Sequence, residues 1–134
     1  MYVKDHMTKK PVTVTPDTSV STVLDIMQKG HFHRVPVVDE NGVLKGLITE
    51  GVVTEASGQN TTSLSIFELN YLLSRTSVED IMIKNVKTVT EDQFVEQAAQ
   101  VMLDAGINVL PVVDEANKVI GIITEKDIFK TFVD

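Results

Sequence analysis

Apolar and polar residues follow two different periods along this chain. Apolar residues from Val20 to Met27 recur at helical spacing, which predicts an amphipathic helix over residues 17–29 that ends at Gly30. Just before this segment, residues 12–15 alternate between apolar and polar, and that pattern is typical of a short strand. The first part of the chain therefore indicates a strand followed by a helix.

A hairpin is predicted next. Residues 34–39 and 44–49 are two runs rich in β-branched and other apolar side chains, and each indicates a strand. They are separated by a turn that contains Asn41-Gly42, a dipeptide typical of hairpins. A short helix is expected from Glu50. The predicted unit is thus strand, helix, strand, strand, helix.

The same order occurs again in the second half of the chain. Pro36-Val37-Val38-Asp39-Glu40 reappears as Pro111-Val112-Val113-Asp114-Glu115, and the match at this offset needs no gap between Val3 and Ala56. The second copy predicts a strand at 86–90, a helix introduced by a Thr90–Gln93 capping box, hairpin strands at 108–114 and 118–124, and a helix at 125–132. A repeat of this kind indicates two related structural units, here residues 1–56 and 78–134.

Residues 57–77 connect the two copies. Their beginning, residues 57–62, is polar and is predicted to be a loop. Ser65 and Glu68 form a second capping-box pattern, and the apolar spacing that follows predicts a helix over residues 65–74. We expect the apolar face of this helix to be buried, either on the core or on a partner.

Composition narrows the function classes. The 134 residues contain no cysteine, which excludes disulfides and thiolate zinc sites, and no apolar run approaches the roughly 20 residues of a membrane span. The formal net charge of −7 argues against a nucleic-acid partner, because phosphate backbones require a basic surface. The sequence predicts a soluble, cytoplasmic α/β protein without membrane or nucleic-acid partners.

The repeated motifs resemble the tandem cystathionine-β-synthase (CBS) domain. The resemblance lies in "HRVPVVDENG" with "GLITE" in the first copy and "LPVVDE" with "GIITEKDIF" in the second, and the connecting segment is similar to that of acetoin-utilisation (AcuB-type) accessory proteins. It implies two β-α-β-β-α CBS repeats packed with pseudo-twofold symmetry into one Bateman module. It also implies a regulatory role rather than catalysis, a homodimer formed through helices, and an attached ACT domain or a regulated enzyme as partner.

The same resemblance implies a ligand. In CBS pairs an adenine nucleotide or S-adenosylmethionine commonly sits in a cleft between the repeats, and a ligand of the AMP, ADP or ATP class is predicted for this chain. The family pattern Gly-h-x-Ser/Thr-x-x-Asp, where h is apolar, is complete at residues 121–127. It implies that Asp127 accepts hydrogen bonds from the ribose hydroxyls and that Thr124 contacts phosphate. Thr124 and Asp127 also match a helix cap, and the two roles are compatible.

Two differences between the copies favour one site over the other. Val52 stands where the first copy would need the aspartate, and Asn108 with Val109 stands where the second copy would need the basic pair His33-Arg34. The resemblance therefore predicts one favoured ligand site. Its residues would be Pro11, Val12, Thr13, Phe32, His33, Arg34, Pro36, Gly121, Ile122, Thr124 and Asp127.

Several alternatives remain open from the sequence. In one alternative, the ligand is S-adenosylmethionine or a cyclic dinucleotide. In another, the clefts are vestigial and the module only dimerises. In a purely structural interpretation, Arg34 would be a solvated edge residue and His33 a surface histidine. His31 and His33 would lie on one face of a strand, an arrangement that could suggest a metal, but no third ligand is evident, so no metal is predicted. No arrangement of catalytic residues is apparent either.

Overall fold

A computed structural model describes residues 1–58 and 65–133. The helices in that part of the chain are α1 (Val20–Gly30), α2 (Glu50–Gly58), α3 (Ile66–Arg75), α4 (Val95–Ala105) and α5 (Glu125–Lys130). The strands are β1 (Thr8–Lys9), β2 (Arg34–Val38), β3 (Leu44–Thr49), β4 (Val89–Thr90), β5 (Val109–Val113) and β6 (Val119–Thr124). Short 3₁₀ turns at Val3–Asp5 and Val78–Asp80 lie at the start of the two copies of the repeat. No helix in the described ranges is long and apolar enough to cross a membrane.

The chain forms two compact units that do not coincide with the two copies of the repeat. The first unit comprises Met1–Pro11, Asn41–Leu44 and Val86–Asp134, and the second comprises Val12–Glu40 and Lys45–Asn85. Each unit therefore contains the leading segment of the other copy. We use the term leading segments for residues 1–11 and 76–85.

The first unit is built on a four-stranded sheet in the order β1-β6-β5-β4. Strands β5 and β6 are antiparallel, with Leu110 opposite Ile123, whereas β4 runs parallel to β5. Strand β1 of the leading segment adds to the other edge, with Thr8 opposite Ile122. The buried residues around this sheet are Val3, Val89, Val95, Ala98, Met102, Leu110, Val112, Ile123 and Ile128.

The second unit repeats this plan with shorter strand pairing. Strands β2 and β3 pair, and single bridges at Val14–Val37 and Leu47–Ile83 stand where the first unit has regular strands. Its core contains Val14, Val20, Val23, Met27, Val35, Val37, Ile48, Val53 and Val78. Every one of these positions has its repeat counterpart in the core of the first unit, as Val37 has Val112 and Val78 has Val3. The two cores are therefore equivalent position by position.

Each core is closed by the leading segment of the other copy. Val3 donates its N–H to the Gln93 carbonyl at 2.8 Å, and Val78 donates its N–H to the Thr18 carbonyl, also at 2.8 Å. Both valines are 0% exposed. The buried valine of each leading segment therefore packs in the core of the opposite copy. The repeat pattern alone does not reveal this arrangement.

The turn of the first hairpin also belongs to the first unit. Leu44 donates its N–H to the Asn117 carbonyl at 3.0 Å, and Val119 donates its N–H to the Gly42 carbonyl at 3.1 Å. Gly42 and Asn117 occupy equivalent turn positions and both have positive φ, +85° and +64°. Glycine and asparagine are the residues that adopt this conformation most readily.

The predicted first strands of both copies are too long. Of residues 12–15, Val14 alone forms a bridge, because Val12, Thr13 and Thr15 are exposed and have no strand partner among the described residues. In the second copy the predicted strand at 86–90 is reduced to β4. In both copies the alternating pattern indicates a single buried valine, Val14 or Val89, and not a strand of full length.

Helix α1 begins and ends differently from its prediction. It starts at Val20 rather than at residue 17, because Ser19 Oγ accepts a hydrogen bond from the Thr22 N–H at 3.2 Å and caps it. Gly30 is still helical, and His31 takes the left-handed capping conformation with φ of +57°. Glycine would be the usual residue at that position.

Helix α4 shows the expected glycine. Gly106 occupies the position equivalent to His31, with φ of +66°. At the other end, the Gln93 side chain accepts from the Thr90 N–H at 2.9 Å, so the predicted contact exists. The helix itself begins only at Val95, where the Gln97 side chain accepts from the Phe94 N–H at 2.8 Å.

The connecting segment is partly as predicted. Ser65 Oγ accepts from the Glu68 N–H at 3.2 Å, which confirms the cap of α3 and places the helix within one residue of its predicted bounds. The helix has no buried residue, although Leu73 packs against the core of the second unit. Phe67 is 82% exposed, so the apolar face of α3 is covered only in part.

The hairpin strands β2, β5 and β6 are one or two residues shorter than their predictions of 34–39, 108–114 and 118–124, and two further differences concern helix ends. The predicted loop at 57–62 begins too early, because α2 continues to Gly58, and residues 59–62 lie outside the described residues. Helix α5 ends at Lys130 rather than at residue 132, because Thr131 Oγ1 donates to the Ile128 carbonyl at 2.7 Å and closes its last turn.

Candidate functional site

Thr124 and Asp127 form a reciprocal cap where β6 passes into α5. Thr124 donates to Asp127 Oδ2 through its backbone N–H at 2.9 Å and through its hydroxyl at 3.1 Å. The Asp127 N–H in turn donates to Thr124 Oγ1 at 3.3 Å. The helix-cap interpretation of these residues is therefore correct.

The cap does not use the whole carboxylate of Asp127. Both hydrogen bonds that the carboxylate accepts go to Oδ2, and Oδ1 accepts none from the described residues. An ionised carboxylate has lone pairs on both oxygens, so the second oxygen is able to accept from a ligand hydroxyl. Helix capping and ligand binding are thus compatible in this geometry.

The equivalent position in the first copy offers no such acceptor. The Val52 N–H donates to Thr49 Oγ1 at 3.0 Å, which reproduces the threonine half of the cap. The Val52 side chain packs against the core of the second unit. A valine has no hydrogen-bonding group, so this copy caps its helix but presents no carboxylate.

His33 occupies the position before β2, and its backbone is placed in the same way in both copies. The Glu50 N–H donates to the His33 carbonyl at 2.9 Å, and the Glu125 N–H donates to the Asn108 carbonyl at 2.9 Å. His33 and Asn108 are therefore structurally equivalent, as the offset of the repeat predicts.

The side chains at these equivalent positions differ. His33 Nδ1 lies 2.6 Å from Glu50 Oε2, and both side chains are more than half exposed. Asn108 and Glu125 make no side-chain hydrogen bond to each other among the described residues. Glu50 is a functional candidate that sequence reasoning missed, because it is 17 residues from His33 and its motif position is shared with Glu125.

A depression with a volume of about 430 Å³ lies next to this pair in the second unit. Its lining residues are Leu24, Met27, Gln28, His31, His33 and Glu50. The first two supply an apolar wall, and the others supply polar groups. Although two histidines and a carboxylate line it, no group of three His, Cys, Asp or Glu side chains in the described ranges is arranged to hold a metal ion.

Arg34 is the first residue of β2 and is half-buried. Its guanidinium makes no hydrogen bond or ion pair with a described residue. A guanidinium carries its charge at any physiological pH and presents five donors, so Arg34 is able to bind an anionic group.

The other predicted residues differ in exposure. Within the second unit, Val12 and Thr13 are exposed, Phe32 is half-buried on the core, and Pro36 is fully buried. Within the first unit, Pro11 is half-buried, and Gly121 and Ile122 are buried. Their assignment to a ligand site stays a prediction.

Gly121 has a clear packing reason for being glycine. A Cβ at this position would collide with Met7 Sδ, and a Cβ on the equivalent Gly46 would lie 2.6 Å from Met82 Sδ. Each methionine comes from a leading segment. The glycine that opens each Gly-x-x-Thr motif therefore gives room for the leading segment to pack.

The chain belongs to the CBS domain family: the family model matches residues 3–57 and again residues 78–134. A curated relative, the L-aspartate semialdehyde sulfurtransferase of Methanocaldococcus jannaschii, is 34% identical over 97% of this chain and 23% of its own length. A CBS domain-containing protein of Dictyostelium discoideum is 30% identical over 99% of this chain and 92% of its own length. The chain spans about a quarter of the length of the sulfurtransferase and of the archaeal homoserine O-acetyltransferases that it also matches.

Solved structures show the same architecture. The CBS domain pair of protein MJ0100, in complex with 5′-methylthioadenosine and S-adenosyl-L-methionine, has a TM-score of 0.84 and 33% identity over 98% of this chain and 99% of that one. CBSX2 of Arabidopsis thaliana, in complex with AMP, has a TM-score of 0.81 and 29% identity over 98% and 96%. An AcuB-type acetoin utilization protein of Vibrio cholerae shares the fold with a TM-score of 0.81 at 24% identity, over 99% and 90% of the two chains. The predicted class, an α/β tandem CBS pair, is confirmed.

Proposed function

We propose that this CBS pair is a regulatory module that binds an adenosine-containing ligand of the AMP, ADP or ATP class in one favoured cleft, with residues from both repeats. The repeats are taken as residues 1–56 and 78–134, joined by 57–77. The single observation that carries the proposal is the carboxylate of Asp127, which caps α5 through Oδ2 and leaves Oδ1 able to accept a ligand hydroxyl.

The first step of the argument concerns ribose. Its two neighbouring hydroxyls are donors, and a carboxylate held in a fixed orientation is a matching acceptor. The bonds from Thr124 hold the Asp127 carboxylate in one orientation before any ligand arrives. Val52 has no such group, which supports one favoured site rather than two equal ones.

The second step concerns the 5′ group of the ligand. Arg34 has a guanidinium without a protein partner among the described residues, so it is the residue we assign to a ligand phosphate. Related CBS pairs provide chemical precedent, since one is solved with AMP and another with 5′-methylthioadenosine and S-adenosyl-L-methionine. Apolar contacts to the base would come from Val12 and Phe32.

Calorimetric titration with AMP tests the proposal. We expect Asp127→Ala to weaken binding by about tenfold or more, because the lost charged hydrogen bonds are worth roughly 1.5–3 kcal/mol. Gln97→Ala is the matched control, since it removes a comparable cap from α4 without touching a proposed ligand residue. Equal affinity in the wild type and Asp127→Ala would contradict the assignment.

An S-adenosylmethionine sensor is the second candidate, favoured by the ligands of the MJ0100 pair. The variant Arg34→Ala separates the two candidates. It should weaken the binding of AMP and leave the binding of S-adenosylmethionine nearly unchanged. A cyclic dinucleotide would behave like AMP in this comparison. A panel of adenine ligands that gives no thermal stabilisation would support the vestigial-cleft alternative, because any ligand specific to the folded state must raise its stability.

The partners in this proposal are a second copy of the chain and an attached ACT domain or a regulated enzyme. Exposed apolar side chains on α3, including Phe67 and Tyr71, supply a surface for a homodimer. Glu68 in its first turn and Arg75 in its last would face each other in an antiparallel pair of α3 helices. Sedimentation of the wild type and Phe67→Ser tests this: the variant should shift a dimer toward monomer.

A further inference from the structure

The pair formed by His33 and Glu50 changes the charge of the proposed phosphate subsite. His33 Nδ1 lies 2.6 Å from Glu50 Oε2, and the Glu50 N–H is held by the His33 carbonyl at 2.9 Å. Side chain and backbone thus connect the same two residues. The Glu50 carboxylate is fixed beside the histidine that the proposed function places near the ligand.

The carboxylate reduces the attraction for anions at this place. Arg34 follows His33 directly in the chain and contributes one positive charge. The negative charge of Glu50 offsets part of the positive charge of the His33-Arg34 pair, so the three residues together attract anions less than the basic pair would alone. Repulsion between Glu50 and a ligand scales with the number of negative charges on the ligand.

The second copy shows that the pairing is specific to the first. Glu125 has the same backbone hydrogen bond to residue 108, but Asn108 carries no charge and does not pair with it through the side chain. A glutamate at this position is therefore not required to pair with its neighbour for the backbone to fold. The pairing with His33 is an added feature of the first copy.

We propose that Glu50 is a specificity-determining residue that weakens binding in proportion to the phosphate charge of the ligand. The inference rests on the proposed function and narrows its ligand class. The preferred ligands would be adenosine compounds with a neutral or singly phosphorylated 5′ group, such as 5′-methylthioadenosine and AMP, ahead of ADP and ATP.

The test is calorimetric titration of 5′-methylthioadenosine, AMP and ATP into the wild type, Glu50→Gln and Glu96→Gln at one ionic strength. Glutamine keeps the size of the side chain and an acceptor for His33 while it removes the charge. In Glu50→Gln we expect ATP to bind about five- to tenfold more tightly, AMP about two- to threefold, and 5′-methylthioadenosine without change. Glu96, an exposed glutamate on α4 outside the proposed site, is the control, and Glu96→Gln should leave all three affinities unchanged.

Added salt provides a second readout that a merely structural role would not produce. Screening shortens the reach of the Glu50 charge, so the difference between wild type and Glu50→Gln for ATP should shrink from low salt to about 0.5 M salt. The affinity for 5′-methylthioadenosine should not change with the salt concentration in either protein.

The outcomes separate this inference from the proposed function. Equal gains for all three ligands in Glu50→Gln, or no gain for ATP, would overturn the role of Glu50 while ligand binding itself stands. If none of the three ligands binds the wild type or either variant, the proposed function fails and this inference fails with it.

Discussion

The starts of α2 and α5 show how two equivalent places in one chain come to differ chemically. Both begin after a threonine whose hydroxyl accepts from the backbone three residues later, Thr49 in one copy and Thr124 in the other. Only the second has a carboxylate at that third residue. The backbone hydrogen bond from the third residue to the threonine hydroxyl is present in both copies, whereas the carboxylate that the proposed ligand binding requires is present in only one.

The largest expected effect concerns which core each leading segment closes. Val3→Ala and Val78→Ala should each cost roughly 2–3 kcal/mol of unfolding free energy, because a fully buried valine loses two methyl groups. Hydrogen exchange should rise in residues 86–133 for Val3→Ala and in residues 12–40 for Val78→Ala.

A control is available near the end of the described chain. Val133 is 79% exposed, so Val133→Ala should leave both the unfolding free energy and the exchange pattern unchanged. If Val3→Ala instead raised exchange in residues 12–40, the assignment of the leading segments to opposite copies would be wrong.

The paired glycines should respond unequally to a methyl group. A Cβ on Gly46 would lie 2.7 Å from the backbone carbonyl oxygen of Ile83, which is hard to displace, whereas the three atoms nearest to a Cβ on Gly121 all belong to the flexible Met7 side chain. Gly46→Ala should therefore cost about 1–3 kcal/mol, and Gly121→Ala clearly less. Urea denaturation of both variants measures this, and equal costs would contradict the explanation.

The ends of α1 and α4 allow an exchange of residues. Gly106→His should cost about 1 kcal/mol, because it places a side chain in the left-handed region. His31→Gly should change the free energy of unfolding by less, since glycine relieves that strain in the folded state but adds freedom to the unfolded chain. Thermal denaturation of the two single variants is the measurement; a larger change in His31→Gly would show that His31 is held by other contacts.

The smallest expected effect is on stability at the His33–Glu50 pair. Both side chains are more than half exposed, and exposed ion pairs contribute little, so Glu50→Gln should alter the free energy of unfolding by less than about 0.5 kcal/mol. Denaturation in urea checks this with Lys29→Ala, which breaks an exposed pair with Asp25, as a comparison. A loss of about 2 kcal/mol would be too large for an exposed ion pair and would assign Glu50 a structural role.

Local signals predicted the elements that depend on neighbouring residues. The cap at Ser65 located α3 within one residue, because a cap involves groups only three positions apart. The helix at α1 was placed too early, since Thr15, Asp17 and Ser19 all resemble caps in sequence and the structure uses Ser19. The first strand was overestimated because alternation does not reveal whether a partner strand runs alongside it.

The contacts of the candidate site that lie within one sequence motif could be predicted from the sequence. Contacts between residues that are distant in the chain could not. The Thr124–Asp127 contact follows from spacing along the chain. The His33–Glu50 contact does not, because it depends on how the hairpin returns to the start of α2. The sequence also did not reveal the exchange of leading segments, by which each segment packs on the other copy of the repeat. The offset between the copies is the same whichever copy a segment packs against.

That exchange has a consequence for the order of events on the ribosome. Val78 closes a core whose other members have already been synthesised, so the second unit is able to fold once its last residues leave the exit tunnel. Val3 is made early, yet its partners extend to Ile128, so the first unit must wait for almost all of the described chain. Translation therefore favours one order of folding in a protein whose two cores are equivalent position by position.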